Sequence, residues 1–178
     1  MLRSLGLLDA NQLAFISFAR RHSISFGTAI RLPLPDGSVE VLYSSHMLEH
    51  LDRMDADGFL NEAKRVLQPG GILRLVVPDL ALLVKEYQAD GDADRFMDRA
   101  HLCVPSPRTI REKASSMLSG PRHHQWLYDG RSLSKLLDQH GFVDIRVLQP
   151  GVTRISDPGA LNLNERQSES LFVEAARP

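Results

Sequence analysis

The chain has 178 residues, a formal net charge of −1, 43% hydrophobic and 24% charged residues. That length fits one domain with a substantial core, and a balanced charge with scattered Lys and Arg argues against a nucleic-acid surface. The one cysteine, Cys103, excludes an internal disulfide and a cysteine-based zinc site and points to a reduced, cytoplasmic compartment, while the apolar runs are too short to cross a bilayer, so no membrane role is expected.

The N-terminal run MLRSLGLLDANQLAFISFARR is interrupted by Asp9, Asn11 and Gln12, which argues against a signal peptide. Residues 9–22 read as a helix capped by Asp9, with Leu13, Ala14, Ile16 and Phe18 on its apolar side. A short strand is expected over 23–26, and PLPDGS at 33–38 is turn chemistry. VEVLY at 39–43 reads as a buried strand ending in the polar elbow Ser44-Ser45-His46. A helix follows over about 55–67, with Phe59, Leu60, Ala63, Val66 and Leu67 inward and Asp52 or Asp55 as its cap. Gln68-Pro69-Gly70-Gly71 suits a type II turn, with Gly where φ must be positive. Residues 72–77 form a near-continuous apolar strand, stopped by Pro78, with Asp79 at its tip.

Beyond it, helices are expected over 80–88, 95–102 and 110–118, with a charged break at 90–94. GPRHHQWLY at 120–128 reads as a polar, aromatic loop. Leu133, Leu136 and Leu137 mark a helix ending at Gly141, and 142–148 a strand with Val143, Ile145 and Val147 on one face. Residues 150–169 make a long irregular connection, of the kind that is functional or disordered in compact domains, before a last strand at 170–175. Strands separated by helices imply a mostly parallel α/β sheet, and the last two strands, joined without a helix, an antiparallel pair at one edge. Residues 1–178 are read as a single domain, an N-terminal helix (1–22) followed by the core (23–178).

Several polar residues have both a functional and an ordinary reading. His46-Met47-Leu48-Glu49-His50 matches HxxEH, a zinc-enzyme pattern that needs both histidines on one helix and a further ligand. A strand ends just before it, so His46 is expected in the elbow and His50 on the helix as a buttress, with no metal. Asp79 either faces a ligand or caps the next helix. His123, His124, Trp126 and Tyr128 either line a substrate mouth or pack on the core, and Glu165, Arg166 and Glu169 either gate a pocket or are a solvated surface.

PLPDGSVEVLYSSHMLEHL followed by FLNEAKRVLQPGGILRLVVPDL resembles the middle of class I S-adenosylmethionine-dependent methyltransferases of the type 11 kind; LLDQHGFVDIRV and SLFVEA resemble that family's C-terminal part. The resemblance spans roughly residues 23–177 and implies a Rossmann-like fold, S-adenosylmethionine as cofactor, and methyl transfer to a small-molecule or glycan-type acceptor. It places Thr28 and Ala29 where the family reads the adenine, and Ser44, Ser45 and His46 beside the cofactor's methionine and sulfonium. Glu49 and His50 begin the helix behind the elbow. His50, Asp79, His123 and His124 become candidate substrate contacts, with no catalytic residue singled out and His46, His50 and Asp79 as candidate bases.

The chain departs from the family pattern before Gly37: it has only Gly6 and Gly27, no GxG, and Thr28 where the family has an acid. The family's first βαβ portion is therefore expected to be missing. A truncated or degenerate, non-catalytic module that binds a partner subunit is the competing reading. Loss of that portion would expose an edge of strand 39–43, an aggregation hazard; residues 23–27, the N-terminal helix or a second copy of the chain is expected to cover it.

Overall fold

The computed structural model describes residues 27–102 and 123–178. The helices expected over 9–22 and 110–118, the strand over 23–26 and Cys103 lie outside them. Eight elements follow in order: β1 (Val39–Ser45), α1 (Arg53–Val66), β2 (Leu67–Pro78), α2 (Leu80–Asp90), α3 (Ala93–Ala100), α4 (Gly130–Gln139), β3 (Val143–Leu148) and β4 (Ser170–Ala176). The sheet order is β1-β2-β4-β3. β1 pairs parallel with β2, while β4 runs antiparallel to both of its neighbours. Three of these strands thus point one way and β4 is inserted against them. This is a mixed α/β sheet with the antiparallel pair at one edge that the sequence implies, and β3 is its outer strand. Among the described residues no strand pairs with the other edge, at β1.

The β1-α1-β2 unit follows from local chemistry. Asp52 caps α1, accepting a hydrogen bond from the Asp55 N–H at 2.8 Å. Ala56, Phe59, Leu60, Ala63 and Val66 form its buried stripe, the 3.6-residue period read from the sequence. Gly70 takes φ +77°, as the third position of a type II turn demands. Gly71 is needed for a different reason: a Cβ there would sit 2.9 Å from the Gln68 carbonyl oxygen and 3.1 Å from those of Val39 and Glu40. The turn interrupts the β1–β2 register, which shifts between Val39 and Val41.

Alternation along β2 and β4 sorts the sheet into two faces. Leu73, Leu75 and Val77 with Leu171, Val173 and Ala175 form one face, packed with α1 and α4 into the main core. On the other face Arg74 pairs with Glu174, both fully buried, at 2.6 Å. The connection after β3 shields this pair, through Val152, Thr153, Arg154 and Leu163 on Arg74 and Glu174, and through the Asn162 carbonyl on the Tyr43 hydroxyl.

Three details depart from expectation. The predicted common face of Val143, Ile145 and Val147 is broken by a bulge in β3, where Asp144 takes φ +53°. Val143 pairs with Ala176 and Val147 with Val173, so they lie on opposite faces. The charged stretch at 90–94 is two helix ends back to back: Gly91 closes α2 in the left-handed region and Asp92 caps α3. His50, expected on the helix, lies instead in a separate 3-10 turn, Leu48–His50, ahead of α1. Outside the sheet, Arg65 straps the turn segment to α1 through Glu62, Asp36 and the Leu34 carbonyl.

Candidate functional site

β1 ends where its ladder meets the elbow: the His46 N–H still donates to the Val76 carbonyl at 2.8 Å. His46 itself takes φ +48°, a conformation costing an ordinary residue about 1–2 kcal/mol. Its Nε2 lies 3.0 Å from the Ser170 hydroxyl and its Nδ1 3.3 Å from Glu49 Oε1. Ser170 is present because the β2–β4 register sets it opposite Pro78.

The short turn Leu48–His50 buries Glu49 completely, and among the described residues neither of its carboxylate oxygens has a hydrogen-bond partner. The 123–128 segment closes over it: Gln125 N–H and Trp126 N–H donate to the Glu49 carbonyl, and the Gln125 amide donates to the His50 carbonyl. His124 is buried there, its Nδ1 2.8 Å from the Ala100 carbonyl and its Nε2 3.9 Å from Glu49 Oε1. Its ring meets those of His50 and His101 edge-on, at 5.0 and 5.3 Å. Burial pushes the His124 pKa below the ordinary imidazole range, against the pull of Glu49 and with the help of His50, so the ring is neutral near pH 7.

These elements surround a small open concavity at the C-terminal tips of β1 and β2, where open α/β sheets hold ligands. His46 and Pro78 form its floor, His101 and His124 one wall, and Arg99, Arg166 and Glu169 its charged rim. Glu169 stands 3.8 Å from Arg99 and 3.9 Å from Arg166. Among the described residues four non-glycine residues have positive φ, namely His46, His101, Asp144 and Arg166, and three of them line this hollow. Held strain of this kind collects at functional sites.

The residues singled out from the sequence divide. His46 and His124 line the hollow. His50 stands behind it, with Nδ1 on the His123 carbonyl at 3.2 Å; the His123 side chain makes no contact that assigns it a role. Asp79 serves as the N-cap of α2, accepting from the Ala81 N–H at 2.9 Å. Ser44 is buried opposite Leu75 on the core face, and Ser45 pairs with Val76 on the other. Thr28 and Ala29 are not among the lining residues: Thr28 sits in a tight turn closed on Arg31, and Ala29 packs against the core. Tyr128 belongs to the core and Trp126 lies half-exposed under Arg53. Arg166 and Glu169 border the hollow, and Glu165 is not among its lining residues. Ser170, Arg99 and His101 were not foreseen, because chain topology rather than any local motif brings them here.

Residues 8–75 match the model of a family described as "Methyltransferase domain". A protein of Mycolicibacterium smegmatis named "Probable S-adenosylmethionine-dependent methyltransferase" is 41% identical over 59 residues, 33% of this chain and 22% of that protein. The chain thus spans about a fifth of that relative's length. Two solved structures of S-adenosylmethionine-dependent methyltransferases share the fold. One, from Methanosarcina mazei, has TM-score 0.53 and 18% identity, over 95% of this chain and 78% of that one. The other, from Thermotoga maritima, has TM-score 0.51 and 18% identity, over 94% and 70%. No helix among the described residues is long and apolar enough to cross a membrane. Residues 8–75 are thus similar in sequence to a methyltransferase domain, and the described fold is shared with solved S-adenosylmethionine-dependent methyltransferases.

Proposed function

We propose that this chain binds S-adenosylmethionine at the tips of β1 and β2 and directs its methyl group to a small-molecule or glycan-type acceptor. The clustering of left-handed backbone at His46, His101 and Arg166 around one hollow carries this reading. The donor set fits a zwitterionic group: Arg99 and Arg166 suit its carboxylate, and Glu169 suits its ammonium or ribose hydroxyls. That group supplies an electrophilic methyl when bound. The chain's own task is then to orient the acceptor in line and keep water out.

A hydroxyl acceptor also needs a base. Of the three candidates, Asp79 is engaged as a helix cap and His50 lies behind the hollow. His46 lines it, with Glu49 beside Nδ1 to orient the ring and Nε2 turned to the Ser170 hydroxyl. His46 is therefore the base we assign.

Calorimetric titration of the purified chain with S-adenosylmethionine and S-adenosylhomocysteine tests the reading. Micromolar binding that weakens in Arg166→Ala supports it. No heat at millimolar ligand would overturn it and leave standing the non-catalytic module, docked to a partner subunit or to a second copy along the outer edge of β1.

A further inference from the structure

The Glu49 carboxylate is chemically unfinished. It is fully buried, and neither oxygen accepts a hydrogen bond from the described residues. A carboxylate so placed needs a cation or a proton. Its neighbours are arranged for the first. Nitrogens of His50 and His124 and a Glu49 oxygen all lie within 4.8 Å of one another. Both imidazoles are held through Nδ1 by a backbone carbonyl, His124 by Ala100 at 2.8 Å and His50 by His123 at 3.2 Å. A ring whose Nδ1–H is given to a carbonyl presents an unprotonated Nε2, the arrangement by which proteins orient histidine ligands to metals.

We infer that Glu49, His50 and His124 bind one divalent transition-metal ion of the zinc class through Nε2 of the two histidines and the Glu49 carboxylate. Two imidazoles and a carboxylate suit such an ion better than Ca²⁺ or Mg²⁺, which favour all-oxygen shells. Three protein ligands leave a coordination position open. Because His124 also lines the hollow at the strand tips, that position is available to an oxygen of a bound acceptor. His46, 3.3 Å from Glu49 Oε1, then serves as an outer partner that steadies the ligating carboxylate.

The HxxEH spacing does not describe this site. His46 and His50 do not share a helix, and the second imidazole comes from His124, 75 residues or so away along the chain from the Glu49–His50 pair. The competing account is that His46, 3.3 Å away, is the one partner of Glu49, with no metal.

The test uses the whole purified chain, stripped with chelator and titrated with Zn²⁺ and Co²⁺. Expected are one ion per chain, a Co²⁺ visible spectrum of low-coordinate intensity, and a rise in thermal midpoint with Zn²⁺. His50→Gln and His124→Gln should each weaken Zn²⁺ binding by more than the roughly 10–100-fold that loss of an outer partner costs. His140→Gln, on the far end of α4, should leave binding intact. Absence of stoichiometric Zn²⁺ or Co²⁺ binding to the unaltered chain overturns the inference, as does binding that survives both histidine replacements. A chain that binds metal yet ignores S-adenosylmethionine would retain the metal site and refute the proposed methyl transfer.

Discussion

Replacing Glu174 by Gln tests whether the Arg74–Glu174 pair holds the long connection onto the sheet. Both side chains are fully buried. Glu174 accepts from Arg74 at 2.6 Å, from the Thr153 hydroxyl at 2.6 Å and from the Arg154 N–H at 2.9 Å. The Gln variant leaves the Arg74 guanidinium charged and dry, a loss of about 3–5 kcal/mol for a buried pair broken on one side. Arg74→Met should cost a similar amount by stranding the carboxylate. The double variant Arg74→Met, Glu174→Leu removes both charges. It leaves Thr153, the Arg154 N–H and the Val152 carbonyl without their partners, at about 1 kcal/mol each, so its cost should be about 2–4 kcal/mol. The two single losses together should therefore exceed the double by at least about 2 kcal/mol, read from urea unfolding followed by far-ultraviolet circular dichroism. Additivity to within about 0.5 kcal/mol would refute the idea that the pair acts as one buried unit.

The same carboxylate predicts an acid limb. Burial pushes the Glu174 pKa up, but the hydrogen bonds from Thr153, Arg154 and Arg74 outweigh it and hold the group below its ordinary value. A folded-state pKa below the unfolded one adds stability above the unfolded value, near about 4.3, and that contribution disappears as pH falls through the folded one. Urea midpoints should decline on acidification below about pH 4, and the double variant should decline less; identical acid limbs would contradict this. Gly71→Ala should destabilise by about 1–3 kcal/mol, because the new methyl meets three backbone oxygens that cannot swing aside. Gly70→Ala meets only its positive φ and should cost about 1–2 kcal/mol, so thermal midpoints that rank the two the other way would sink the contact explanation. His46→Gly relieves the left-handed strain and should leave the thermal midpoint within about 1 kcal/mol of the parent while weakening S-adenosylmethionine about tenfold or more, about 1.4 kcal/mol. A large loss of stability with unchanged affinity would make the imidazole a structural prop.

What the sequence made legible is what local chemistry decides. The stripe Phe59, Leu60, Ala63 and Val66 is buried as its period requires. The Pro69-Gly70 turn takes the backbone its residues prescribe, while the ladder of β1 runs on past VEVLY through Ser44 and Ser45 and ends only before His46. The bulge at Asp144 was not legible, since aspartate enters the left-handed region readily but gives no signal of when it will. One signal was present and passed over. Arg74 interrupts ILRLVV and Glu174 interrupts SLFVEA, a single charge of opposite sign in each of two apolar strands. Two lone charges in buried strands can hardly both go unpaired, so their pairing, and with it the adjacency of β2 and β4, was open to inference.

The hollow itself lies beyond such reasoning, because insertion of one strand creates it. Had β4 been added outside β3, Ser170 would stand two strands from His46 and Glu169 would not reach Arg99. Placing β4 between β2 and β3 sets Ser170 opposite Pro78, beside the tip of β1, and so supplies His46 with a hydroxyl partner. The residue before it, Glu169, anchors the loop by accepting from the Asp79 N–H at 2.9 Å through its carbonyl. Its side chain is thereby left at the rim with Arg99 and Arg166. The histidines follow the same logic from the other side: His101 ends α3 in the left-handed region, its carbonyl receives the His124 N–H, and the 123–128 segment is turned over Glu49. The charged rim, the strained floor and the histidine wall are thus consequences of one topological choice. A chain keeping every local motif but reversing the β4–β3 order would retain the elbow and lose the site.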